Sequence, residues 1–182
     1  MSGRFIAVVG PSGVGKDSVM RALAAAMPQI AVARRVITRP GDAGGEDFDG
    51  VSEERFLTMQ ASGQFALSWP AHGLHYGVPV QVDDHLAAGR DVLANLSRTQ
   101  LHAAQDRFDR CVFISLTATN AVLARRLTAR GREDASEVVR RLERATYAMP
   151  YGIFAHEVDN SGPLEQAVTA VIALLYPESA KV

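Results

Sequence analysis

Apolar runs alternate with amphipathic stretches along this chain. Phe5-Ile6-Ala7-Val8-Val9 is uninterrupted and reads as a buried parallel strand. Ser18 to Ala26 reads as a helix, ending near Pro28. Ile30 to Ile37 looks like a second strand and runs into Thr38-Arg39-Pro40. Gly41 to Gly50 is polar, glycine-rich and acidic, which predicts a surface loop. Val51 to Phe56 carries a helix start, with Ser52 as N-cap and acids in the first turn, and that helix ends by Gly63. Phe65 to Val80 is punctuated by Pro70, Gly73, Gly77 and Pro79, so short strands and turns are expected there. A short helix over 82–88 stops at Gly89. Asp91 to Leu96 predicts a third buried strand, with Ser97 positioned to cap the next helix, and Arg110 to Leu116 a fourth strand. Helices follow over 120–130, with Val122, Leu123 and Leu127 on one side, and over 137–149. A short strand over 156–160 and a closing helix over 164–175 complete the chain.

Strands alternating with helices predict an α/β fold with a mostly parallel five-stranded sheet flanked by helices. Ligands of such sheets bind at the carboxyl ends of the strands. Gly10, Thr38, Ser97 and Asn160 all fall at or just past strand ends, so they can converge.

The stretch between the first strand and first helix, Gly10-Pro11-Ser12-Gly13-Val14-Gly15-Lys16-Asp17, changes the picture from architecture to chemistry. Strand, glycine-rich turn, Lys and helix is the context of a phosphate-binding loop, a P-loop. Its N–H groups turn inward toward phosphate oxygens, the helix N-terminus adds positive charge, and Lys16 reaches the outer phosphates. The candidate nucleotide-binding residues are therefore Gly10, Pro11, Ser12, Gly13, Val14, Gly15, Lys16, Asp17 and Ser18. The residue after the Lys is usually a Ser or Thr whose hydroxyl ligates magnesium; here it is Asp17. A carboxylate is itself a hard oxygen ligand, so Asp17 is the candidate metal residue. A shifted register that uses Ser18 instead points about 100° away around the helix.

Composition narrows the class without adding to the chemistry. The 182 residues suit one domain, and 47% hydrophobic with 21% charged residues is ordinary for a globular protein. A net charge of −1 gives no general electrostatic case for nucleic acid or an anionic membrane. The single Cys111 opens an apolar run and reads as a small core residue, excluding an internal disulfide. No run of 18 apolar residues suggests a membrane span, and the first strand begins almost at once, so a cytoplasmic protein, monomer or homodimer, is the expectation.

Arg39 follows the second strand, where a guanidinium can fork onto a phosphate; a plain surface Arg before Pro40 is the other reading. Arg125, Arg126, Arg130 and Arg132 cluster, and Arg140, Arg141 and Arg144 follow. Glu133, Asp134, Glu137 and Glu143 are interleaved, so a solvated charged helix explains the cluster taken alone. Beside a P-loop, an arginine segment hinged on Gly131 reads better as a lid over a transferring phosphoryl group. His72 and His75 read as loop histidines or as contacts to a sugar, and Asp91 as a strand-start residue.

Gly10–Asp17, Thr38-Arg39, Tyr76-Gly77, Arg126-Leu127 with Arg130-Gly131, Arg141-Leu142 and Asn160 together resemble the guanylate kinase family, over about residues 4–175. The resemblance implies one kinase domain over 1–182, with a core (1–33, 91–125, 140–182), an acceptor-binding subdomain at about 34–90 and a lid at about 126–139. It implies ATP as phosphoryl donor with Mg2+ and a small-molecule phosphate acceptor. Lys16 would then cradle the donor phosphates. Arg39 and Tyr76, with Thr38 and Ser97 beside them, would hold the acceptor. Arg126, Arg130 and Arg141 would neutralise charge in flight, and Asn160 would lie at the adenine end.

The departures redirect the acceptor. Family members read guanine with an acid in a Phe-x-Glu stretch, a Thr or Ser after Tyr-Gly, and an Asp after the third strand. Here those places hold Leu67 and Ser68, Val78 and Ser97, and a second acceptor Arg is replaced by Asp42. A base pocket without matched hydrogen-bonding groups cannot discriminate. This combination resembles one branch of the family, the ribose 1,5-bisphosphate phosphokinases, through the P-loop with Asp17 and Ser18, Ile37-Thr38-Arg39-Pro40, Phe65 to Trp69, Gly73 to Gly77, and Arg130 to Glu137. The alternatives are a nucleoside monophosphate kinase, separated by its acceptor, and a non-catalytic module, separated by magnesium-dependent ATP binding.

Overall fold

The computed structural model describes residues 2–40, 47–129 and 148–177. Expectations for the loop at 41–46, for Arg130 and Arg141, for the other arginines between them, and for most of the lid and the helix over 137–149 lie outside the described residues.

Strand β1 (Phe5–Val9) is the centre of a five-stranded sheet ordered β2-β7-β1-β8-β9. It pairs with β7 (Val92–Asn95) and β8 (Cys111–Thr117), which pair in turn with β2 (Ala31–Val32) and β9 (His156–Asp159), every pairing parallel. All five β1 residues are buried, and their alternation divides them between two cores. Ile6 and Val8 face Val19, Met20 and Leu23 of helix α1 (Lys16–Ala26) and Val168 and Val171 of the closing helix α6 (Leu164–Leu175). Phe5, Ala7 and Val9 face the opposite core, where Phe5 stacks on Phe108 at 4.0 Å between centroids. Leu101 and Ala104 of α4 (Leu101–Arg107) close that side. Helix α5 (Asn120–Ala129) buries Leu123 and Leu127. The parallel sheet and the closing helix appear where the apolar periodicity puts them.

A second sheet of four strands, ordered β4-β3-β6-β5, lies between β2 and β7 in the chain. It contains β3 (Arg35–Ile37), β4 (Phe48–Gly50), β5 (Phe65–Ala71) and β6 (Leu74–Pro79). The run 30–37, expected as one strand, is divided between the two sheets. Ala33 still donates its N–H to the Leu93 carbonyl at 2.8 Å, and from Arg35 onward the chain pairs with β4 and β6 instead. Periodicity along one strand carries no information about which sheet it joins. Residues 48–50, expected as loop, form β4 because Phe48 is buried and pairs beside Arg35. Arg34 reaches Asp49 at 3.0 Å and Asp47 at 3.4 Å over this edge.

The expected helices on either side of the second sheet's hairpin are present. Ser52 accepts the Arg55 N–H at 3.2 Å and starts α2 (Glu53–Ala61), whose Phe56 stacks on Phe65 of β5 at 4.6 Å. Helix α3 (Val82–Ala87) ends at Gly89. Ala71 pairs with Leu74, so His72 and Gly73 are a two-residue hairpin turn, both with positive φ (54° and 71°). His72 is thus an exposed turn residue, whereas His75 is a half-buried strand residue 3.4 Å from Glu53. Ser97 sits at the predicted cap position before a short 3-10 turn at 98–100, but its hydroxyl meets Thr99 Oγ1 at 3.1 Å and makes no capping bond.

At the amino ends of the main sheet, Arg4 donates to Asp91 through Nη2 at 2.6 Å and Nε at 3.1 Å, and to the Leu175 carbonyl at 2.9 Å. Tyr176 donates to the same carboxylate at 2.5 Å. Burial opposes ionisation of Asp91, but the hydrogen bonds from Arg4 and Tyr176 outweigh it and hold the carboxyl below its usual range. Burial, then Asp91, pushes the Tyr176 hydroxyl up to about 12. A lowered carboxyl stabilises the fold above about pH 4, and that contribution fades as pH falls through the folded-state value. Asp91→Asn is expected to cost about 2 kcal/mol in urea unfolding at pH 7 and to flatten the acid limb of the stability profile. Asp91 is a structural strand-start residue, as its sequence position suggested.

Candidate active site

The loop after β1 turns by backbone freedom that only two of its positions need illustrate. Gly13 has φ 84° with the Leu127 side chain 3.1 Å from where a Cβ would stand. Gly15 has φ 97° and caps α1; a Cβ there would meet the Asn160 amide nitrogen at 2.7 Å. No side chain caps α1, so its first-turn N–H groups face the loop without an internal competitor. Lys16 lies back across the turn, with Nζ donating to the Gly10 carbonyl at 2.9 Å and the Pro11 carbonyl at 3.3 Å. Ser12 is half-buried in the turn, and Ser18 is exposed on α1.

Two distant segments grip this loop at one atom. The Val14 carbonyl accepts the Asn160 amide at 2.7 Å and the Arg126 guanidinium at 3.1 Å. Asn160 follows β9 and is 3% exposed, and its N–H is fixed by the Thr117 carbonyl at 2.8 Å. The sequence therefore names a residue whose amide holds the loop's backbone. Arg126, half-buried on α5, is brought to the same turn as Lys16.

Asp17 lies in the first turn of α1 and accepts a hydrogen bond from Asn95 Nδ2 at 3.2 Å. Asn95, buried at the carboxyl end of β7, was passed over by sequence reasoning, although an amide inside the apolar run 92–96 is a legible oddity. Among the described residues no group of three His, Cys, Asp or Glu side chains gathers as a metal site. Mg2+ does not demand one: it takes one or two carboxylates, keeps waters and shares substrate phosphates. One carboxylate beside a P-loop, pinned through one oxygen, fits that donor set.

Of the acceptor candidates, Tyr76 lies on β6 of the second sheet and Thr38 and Arg39 lie just past its β3, whereas Ser97 follows β7 of the main sheet. Thr38 and Arg39, with Ser52 and Glu53, line a cleft of about 410 Å3. Thr38 is locked to the hairpin: its hydroxyl accepts the His75 N–H at 2.8 Å and its N–H donates to the His75 carbonyl at 3.1 Å. The Arg39 guanidinium lies over the Phe48 ring at 4.3 Å, and Tyr76 stacks on Trp69 at 5.5 Å. Leu67 and Val78 are cross-strand partners, both buried with Trp69 against the main sheet. Ser68 faces the other way and accepts from Gln60 at 2.9 Å.

Two further cations escaped sequence reading. Arg35 stands inside an apolar run, yet its guanidinium lies over Tyr76 at 5.1 Å and over Trp69 at 5.8 Å. Arg98 follows Ser97 and is partly buried, and that burial lowers its pKa. By contrast Cys111 is inert: burial pushes its thiol up to about 12, and Sγ donates to the Ala104 carbonyl at 3.2 Å.

The guanylate kinase family matches residues 2–177. Ribose 1,5-bisphosphate phosphokinase PhnN of Ruegeria sp. (strain TM1040) is 52% identical, covering 98% of this chain and 94% of the relative. The protein of the same name from Pseudomonas fluorescens (strain SBW25) is 46% identical, covering 96% of each. The fold is similar to that of guanylate kinase from Anaplasma phagocytophilum, with a TM-score of 0.69 and 21% identity over 100% of this chain and 88% of that one. The family match, the near-full-length relatives and the P-loop fold together place the chain in the guanylate kinase family, in its branch of ribose 1,5-bisphosphate phosphokinases.

Proposed function

We propose that this protein transfers the γ-phosphoryl group of ATP to the 1-phosphate of ribose 1,5-bisphosphate, giving 5-phosphoribosyl 1-diphosphate and ADP, as a step of phosphonate degradation in the cytoplasm. The observation that carries this reading is the buried Leu67–Val78 pair. Two aliphatic side chains stand where a base-reading kinase needs hydrogen-bonding groups, while the P-loop with Lys16 and the acceptor-side Arg39 are retained.

The attacking atom is an oxygen of the 1-phosphate. A phosphate monoester loses its second proton near pH 6, so the nucleophile is already charged at neutral pH and no general base is needed. The new bond joins that oxygen to the γ-phosphorus; the bond that breaks is the one to the β–γ bridging oxygen, whose electrons leave with ADP. Lys16 moves from its loop carbonyls to the donor's phosphate oxygens, and Arg126 faces the same turn. Arg130 and Arg141 offset the negative charge of the transferring group. Thr38, Arg39, Tyr76 and Ser97 orient the acceptor, and the 34–90 segment serves as its subdomain. Mg2+ held through Asp17, when bound, offsets the charge of the donor's phosphates.

A coupled assay of ADP release tests the reaction. Turnover with ribose 1,5-bisphosphate and little with GMP is expected; the reverse order of acceptors overturns the reading. Asp17→Asn is expected to raise the magnesium concentration giving half-maximal rate several-fold. An unchanged magnesium titration removes Asp17 as a ligand.

A further inference from the structure

We propose that Arg35 is the specificity-determining residue for the acceptor, binding the phosphate on carbon 5 of the sugar while the carbon-1 phosphate is attacked. The inference rests on the ribose 1,5-bisphosphate reading above. It starts from the register of the second sheet. Val36 pairs with Gly77 and Ile37 with Tyr76, so the next step of the same ladder sets Arg35 opposite Val78. Val78 in turn pairs with Leu67, and Tyr76 with Trp69. Side chains alternate between faces along a strand. Arg35, Val78 and Leu67 therefore form one row across β3, β6 and β5, on the face that carries Tyr76 and Trp69.

That row is the place where a nucleobase would have to be read. Two of its members are aliphatic and buried; the third is a guanidinium. Its carbon lies 5.1 Å from the Tyr76 centroid and 5.8 Å from the Trp69 centroid, and the two rings are stacked at 11°. A guanidinium laid over aromatic faces is attracted to them and loses little further freedom on binding. A guanidinium edge has the geometry of a bidentate phosphate contact. The site is thus poor for a base and good for an anion.

The charge of the acceptor asks for such a group. A nucleoside monophosphate carries one phosphate, the one attacked. A pentose bisphosphate carries two, each near −1.5 to −2 at pH 7. The sugar separates them, so residues that hold the attacked phosphate cannot also hold the distal one. Arg39, over Phe48 on the other flank of β3, serves the first; Arg35 serves the second.

The test compares ribose 1,5-bisphosphate with ribose 1-phosphate as acceptors for the wild-type protein, Arg35→Gln and Arg35→Lys. Wild type should prefer the bisphosphate. Arg35→Gln should raise the bisphosphate KM at least ~10-fold, the scale of a lost charge-assisted contact. It should leave the ribose 1-phosphate KM and the ATP KM within about twofold, so the preference collapses, with Arg35→Lys in between. Calorimetric titration with ribose 5-phosphate, which carries only the distal group, should give binding to wild type and much weaker binding to Arg35→Gln. A preference that survives Arg35→Gln, or an equal loss for both acceptors, overturns the proposal. Should Arg35→Gln fail to melt cooperatively, Arg35→Lys decides by the same two ratios. A wild-type protein inert toward ribose 1,5-bisphosphate sinks the proposed reaction instead, a result the ribose 5-phosphate titration tells apart.

Discussion

Lys16→Ala is expected to lower kcat by about two orders of magnitude or more, the scale of a preorganised electrostatic group, while the melting temperature barely moves. Lys16 Nζ rests on the Gly10 and Pro11 carbonyls of its own turn, and the turn's shape is set by glycine dihedrals and by the contacts at Val14. Deleting the ammonium removes the charge proposed to bind the donor phosphates and leaves the glycine dihedrals and the Val14 contacts in place. Steady-state kinetics with both acceptors, alongside thermal melts, check this. Near-normal turnover in a folded variant would rule out phosphoryl transfer at this loop.

The second large effect is expected at Arg126. Arg126→Ala removes a positive charge from the phosphate turn and one of the two donors on the Val14 carbonyl. A drop in kcat of about 100-fold is expected, with a rise in the KM for ATP because the loop itself loosens. Arg126→Lys keeps a charge but loses the fork, so it should recover only part of the rate. If Arg126→Ala retains kcat within about threefold, the arginine is a loop brace and takes no part in transfer.

What the chain disclosed of itself follows the range of each physical signal. The P-loop was legible because glycine dihedrals, a flanking strand and a helix start are local. So were α6, the Ser52 cap and the short strands and turns over 65–80. The division of residues 30–37 between two sheets was hidden, because an apolar run looks the same whichever neighbour it joins. Strand β4 was hidden by the acidic and glycine residues around Phe48. Arg35 and Asn95 were overlooked for one reason: a polar residue inside an apolar run is easily read as noise, and only cross-strand register reveals what it stands beside. Asn160 was marked, but its bond to Val14 spans 146 positions, beyond any local pattern.

The shared grip on the Val14 oxygen constrains how this sequence can drift. A change at Asn160 leaves Arg126 as the sole side-chain clamp described on that carbonyl, and a change at Arg126 leaves only Asn160. Residues that converge on one atom do not lose their contributions independently. The fitness of any replacement at one position therefore depends on the residue held at the other, and a path that alters both one at a time must pass through a chain with a single clamp.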